Sequence, residues 1–148
     1  MAPPKLTRAF LILLGDGAEP ETFAFPCGAN ARSVTFKNNL GEETVLDCDD
    51  PLGAPAAIQR WLESQDTTMS ITGRVAKGDS LAAWRAWSDD GVERNIRIMI
   101  DEPAVDGGGY YTVPAYLETL EMSSEGKGTV AFTASIMGSG TRVWTAAV

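Results

Sequence analysis

Five carboxylates, Glu42, Glu43, Asp47, Asp49 and Asp50, fall within nine residues with no basic side chain among them. Carboxylate oxygens this dense could hold a divalent cation. A calcium loop of the Asp-x-Asp-x-Asp-Gly type, however, needs a third ligand where Pro51 stands. A solvated acidic loop, or an acidic surface facing something that must not adhere, is the plainer reading. Paired carboxylates could also run acid–base chemistry, but no spacing singles out a pair, and 148 residues leave little room for a saccharide cleft. Gly126-Lys127-Gly128-Thr129 has the ending of a phosphate loop, yet Glu121 occupies the position of its first glycine, so a β-turn is expected. There is no histidine at all. That removes Ser-His-Asp and Cys-His nucleophiles, imidazole bases and histidine-containing zinc sites. Cys27 and Cys48 are too few for a cysteine-rich metal centre. They read as reduced, buried thiols of a protein folded in the cytosol, with one disulfide as the alternative. No catalytic residue, metal or cofactor is expected.

Composition points the same way. With 44% apolar and 22% charged residues the chain is an ordinary globular protein, and its length suits a single domain, residues 1–148. Twenty acids against 12 bases give a net charge of −8, which disfavours sequence-independent phosphate binding. Behind Met1–Arg8, the apolar run Ala9–Leu14 is only six residues long, too short for a membrane span or a secretory core, so a buried strand is expected there and no membrane insertion.

The elements that must position these residues are mostly strands: turn signals recur, and the segments between them alternate with period two. Strands are predicted at Leu6–Leu14, Thr22–Phe25, Ser33–Lys37 and Glu43–Cys48, the last two joined by a turn at Asn38–Gly41. Further strands follow at Thr67–Val75 (with Gly73 as a possible bulge), Val92–Ile100, Tyr110–Met122, Thr129–Ile136 and Arg142–Thr145. In Thr129–Ile136 the apolar Val130, Phe132, Ala134 and Ile136 face one way, and Thr129, Thr133 and Ser135 the other. Ser80–Trp87 has helical spacing, with Asp79 as N-cap, Gly91 as a stop, and Leu81, Trp84 and Trp87 available for packing. Pro55–Leu62 reads as a short helix or one irregular turn, with Ile58, Trp61 and Leu62 at i, i+3, i+4. Gly107-Gly108-Gly109 before Tyr110-Tyr111 reads as a mobile loop or a hairpin tip. The fold class expected is mainly β, a β-sandwich or barrel with one flanking α-helix.

The serial order of these motifs is more specific than any one of them. It runs from Val45-Leu-Asp-Cys-Asp-Asp50 and Trp61-Leu62 through Ile71-Thr-Gly73-Arg74, Gly78-Asp79 with the Leu81–Trp87 helix, and Gly91. Then come Ile96–Asp101, Tyr110–Tyr116, Leu120-Glu121, Gly128–Ile136 and Ser139-Gly140. In that order the chain resembles the major tail tube proteins of long-tailed phages and phage-like gene transfer agents, over roughly Ser33 to Thr145.

The resemblance implies a phage tail tube fold assembled into hexameric rings that stack into a tube, a structural virion protein of the tail assembled in the host cytoplasm. It implies as partners the chain itself, a tape-measure protein, and tail terminator and baseplate proteins. DNA would pass through the lumen at ejection without specific binding. Six chains at −8 would bring a ring to about −48, a like-charged wall for a polyanion. Thr129, Thr133 and Ser135 are candidates for the polar face that lines water. The Asp47–Gln65 stretch, long for a compact domain, is the candidate inter-ring loop, with Asp47, Asp49, Asp50, Ile58, Trp61 and Leu62 as its contact residues. The alternative is that Ile58, Trp61 and Leu62 cover the subunit's own core. Rival readings are a tail terminator or other tail ring protein on the same fold, and a monomeric β-sandwich module binding saccharide or protein through Tyr110, Tyr111 and Tyr116.

Overall fold

The computed structural model describes residues 3, 10–17, 19–24, 29–75, 82–124 and 128–147. Its strands are β1 (Phe10–Gly15), β2 (Phe23–Ala24), β3 (Ala29–Val45), β4 (Ala57–Arg74), β5 (Arg94–Ile100), β6 (Gly109–Ser123), β7 (Ala131–Gly138) and β8 (Val143–Ala146). One helix, α1 (Ala82–Asp90), stands between β4 and β5, and a 3-10 turn at Ala104–Asp106 leads into β6. The sheet order is β2-β1-β5-β6-β7-β4-β3, with β8 also paired to β6. The chain divides into two compact units, Met1–Thr35 with Thr67–Val148, and Phe36–Asp66.

In the larger unit, strand registers follow from one apolar face. Leu14 pairs with Ile96 and Ile12 with Ile98. Ile96 in turn pairs with Val113, and Ile71 with Ala134. A one-residue slip of any strand would turn these side chains to water, so the core pins the pairing. The helix closes this face: Trp84 and Trp87 join Ile12, Ile71, Ile96, Val113 and Ile136 in the core, and Trp87 is wholly buried. Its indole N–H would be costly there without a partner, and it donates to the Val92 carbonyl at 2.6 Å. The helix ends where expected, with Gly91 N–H on the Trp87 carbonyl at 2.9 Å. The expected start at Asp79 and the packing residue Leu81 lie outside the described residues.

β6 is the hub. Over Gly109–Ala115 one edge carries β5, while the opposite edge carries β8 and then β7. Between Leu117 and Thr119 the β6–β7 register shifts, leaving Glu118 as an extra residue. This bulge reverses the alternation: Val113, Ala115 and Leu117 face the core before it, and Leu120 after it. Among the described residues no ladder joins β1 to β3, but Arg32 Nε on β3 donates to the Phe10 carbonyl on β1, and Val34 and Phe10 both pack on the core.

Three expectations are corrected. Asn38–Gly41 is no turn: β3 runs unbroken through it. Pro55–Leu62 is no helix, because β4 begins at Ala57. Gly73 makes no bulge and pairs in register with Phe132.

Candidate functional site

The smaller unit is a β-hairpin. Within Phe36–Asp66 the ends of β3 and β4 are joined through residues 46–56. Polar side chains bridge the two strands: Asn39 Nδ2 donates to Ser64 Oγ at 3.0 Å, and Gln65 Nε2 to Asn38 Oδ1 at 3.2 Å. Arg60 and Glu42 form an exposed ion pair at 3.0 Å. Such links fix the pairing but add little stability, about 0–1 kcal/mol for an exposed pair. Large apolar side chains cover little here. Phe36, Leu40, Leu46, Ile58, Trp61 and Leu62 are all exposed, and Leu52 at the tip is 99% exposed.

The candidate loop residues are therefore placed as follows. Asp47, Asp49 and Asp50 sit in the tip, where they shape the turn: Asp47 Oδ1 accepts from Asp49 N–H at 2.9 Å, and Asp50 Oδ1 from Gly53 N–H at 3.1 Å. Among the described residues no cluster of three or more potential ligands is arranged to hold a metal. Ile58, Trp61 and Leu62 lie on β4 rather than on a loop. Cys48, expected to be buried, is exposed at the tip; Cys27 lies outside the described residues. The unit holds seven acids (Glu42, Glu43, Asp47, Asp49, Asp50, Glu63, Asp66) against two bases (Lys37, Arg60). That is a net −5 of the chain's −8.

The second surface is the face of the sheet away from the core. Thr72 pairs with Thr133, which pairs with Glu121; Ser70 pairs with Ser135, which pairs with Thr119. Thr68, Met137 and Tyr116 make a third row. Of the candidate polar residues, Thr133 and Ser135 thus fall in a hydroxyl-rich ladder, while Thr129 precedes β7 and is exposed outside it. The contributions of Thr68, Ser70, Thr72 and Thr119 were missed. Thr68, Ser70 and Thr72 were legible as the polar half of the alternation around Met69 and Ile71, whereas Thr119 was hidden by the bulge at Glu118.

Farther along this face, the Arg97 guanidinium lies between two rings, 3.9 Å from the centroid of Phe23 and 4.0 Å from that of Tyr110. Its Nε is buried and has no hydrogen-bond partner among the described residues. Tyr111 faces the other way, packing on the core and on Trp144 with centroids 4.8 Å apart. Tyr110 and Tyr111 therefore form no common platform for a saccharide.

A third feature is a cleft of about 620 Å³ at the end of the polar face, lined by Arg74, Ser123, Ser124, Gly128, Thr129 and Ala131.

No curated protein sequence matches the chain. Solved structures do match in fold. A chain from the tail of an empty gene transfer agent particle, refined with C6 symmetry, superimposes with a TM-score of 0.77 at 18% identity, covering 97% of this chain and all of that one. The SPP1 tail tube gives 0.67 at 16% identity, covering 98% of this chain and 81% of the other. A chain of the sheath–tube complex of an extracellular contractile injection system gives 0.65 at 14%, covering 97% and 93%. The family profile described as phage tail tube protein matches residues 7–143, almost the whole length. The chain belongs to the phage tail tube protein family, and is accordingly a structural, non-enzymatic component of the virion tail.

Proposed function

We propose that six copies of this chain close into a ring and that the rings stack into the tail tube, the two compact units acting as one tail-tube domain. The observation that carries this reading is the exposed hairpin: a solitary soluble chain has no use for seven large uncovered apolar side chains on one arm. Open borders support it. All four residues of β8 are exposed, and among the described residues no strand covers its outer edge. Ring closure would complete such borders and remove an aggregation hazard.

In this assembly the hairpin reaches the neighbouring ring, with Ile58, Trp61 and Leu62 as contacts. The ladder of Thr72, Thr133, Ser70, Ser135 and Thr119 faces the lumen, around a tape-measure protein during assembly and DNA at ejection. Its three rows contain one acid, Glu121, and no base, so along them phosphate meets few charges; the bases of this face stand at its margins, Arg74 at the end and Arg97 held between two rings. The rest of a ring's acid excess lies mainly on the hairpins. Tail terminator and baseplate proteins would meet the two ends.

Negative-stain microscopy and sedimentation of the purified chain test this reading. Long tubes are expected. Single rings would instead indicate a terminator, and a stable monomer at high concentration a binding module.

A further inference from the structure

One strand links the most acidic segment of the chain to its cleft. β4 begins at Ala57, beside the tip that carries Asp47, Asp49 and Asp50, and ends at Arg74 in the cleft wall. β4 itself is 18 residues long. At the cleft, Arg74 is exposed, and among the described residues no carboxylate pairs with it. Ser123, Ser124 and Thr129, each bearing a hydroxyl, line the same cleft. A guanidinium flanked by hydroxyl donors is the chemistry that receives a carboxylate, through two parallel N–H bonds and further O–H bonds.

The chain offers a matching donor. Asp47 and Asp50 each spend one oxygen on the turn, while the Asp49 carboxylate accepts no hydrogen bond within the described residues. The three acids project from the unit that holds most of the chain's negative charge.

We infer that the cleft of one copy receives the hairpin tip of a second copy, with Asp49 on Arg74 and the hydroxyls of Ser123, Ser124 and Thr129 completing the shell. A contact between two different patches is head-to-tail, and repeated without closure it propagates a filament. It therefore supplies a polarity: the tip enters, the cleft receives. This inference rests on the inter-ring role of the hairpin and adds its acceptor. Each pair, exposed and screened, is worth about twofold in binding. Six in register multiply to about 60-fold per ring, so elongation is steeply sensitive to salt.

The test is charge reversal scored by tube length and critical concentration. Arg74→Asp and Asp49→Arg are each expected to raise the critical concentration at physiological salt by about 60-fold or more. Far-UV circular dichroism should stay unchanged, since both side chains are exposed. The double variant Asp49→Arg/Arg74→Asp is expected to recover tubes. If Arg74→Asp elongates like the parent, or the double variant is no better than the singles, the acceptor is wrong while the inter-ring role stands, provided that Trp61→Ala still blocks assembly. A parent chain that never forms tubes overturns both.

Discussion

The indole of Trp61 lies over Gly41: a β-carbon built at position 41 would stand 2.4 Å from Cε2 and 2.5 Å from Nε1 of the ring. Two residues on facing strands thus need each other, one supplying a surface and the other the absence of a side chain. Gly41→Val should expel the ring and destabilise the hairpin by about 1–3 kcal/mol, the usual cost of overpacking. Amide exchange across residues 36–45 and 57–66 should accelerate, and adding Trp61→Ala should cost less than the two changes summed. Unchanged exchange in Gly41→Val would mean that the ring is not held there.

Trp61→Ala separates folding from assembly. The side chain is 46% exposed and stands outside the main core, so the monomer should keep its melting temperature within a few degrees. Tubes should be lost, because an aromatic anchor is removed from the surface proposed to be buried between rings. Normal tubes from this variant would remove the residue from the interface.

The helix gives the opposite pattern. Trp87→Ala empties a wholly buried site and should cost about 3–5 kcal/mol in urea unfolding. Trp87→Phe, which loses the bond to the Val92 carbonyl as well as some volume, should cost about 1–3 kcal/mol. Assembly defects in these variants should follow stability; a defect without destabilisation would contradict a purely packing role.

Gly109 sits at φ 151°, and a β-carbon there would lie 2.4 Å from the Thr145 carbonyl oxygen. Gly109→Ala should push β8 off β6 at a cost of about 1–3 kcal/mol. Loss of the Tyr111–Trp144 contact should appear as a change in near-ultraviolet dichroism, and an unaltered spectrum would show that β8 tolerates the side chain.

With no histidine, the chain has no imidazole to titrate. Tube length and melting temperature should therefore be flat between about pH 6 and 7.5. A sharp transition in that window would require a titrating group of another kind.

What could be read from the sequence follows from where each strand finds its partner surface. β5 and β7 alternate because one face of each meets the subunit's own core, and the pattern records that core directly. The hairpin has no such core. Asn38, Asn39 and Gly41 carry turn chemistry in isolation, but here the asparagines bridge to Gln65 and Ser64, and the glycine accommodates Trp61. Ile58, Trp61 and Leu62 mimic a helical stripe because they answer to no buried face of the isolated chain. Arg97 was overlooked for a related reason: its two aromatic neighbours come from Phe23 and Tyr110, far apart along the chain.

Glu118 gives β6 something like a reading frame. Its extra residue moves the inward set from odd to even positions, so the same strand presents Val113 and then Leu120 to the interior. Replacing Glu118 should be nearly silent, because an exposed bulge residue packs against nothing essential. Deleting it should splice the strand cleanly, since Leu117 would run straight into Thr119 with Thr119 still on Ser135 and Leu120 on Ala134. One further residue paired into the ladder there would instead act as a frameshift acts on a message, delivering Thr119 and Glu121 inside and leaving Leu120 in water.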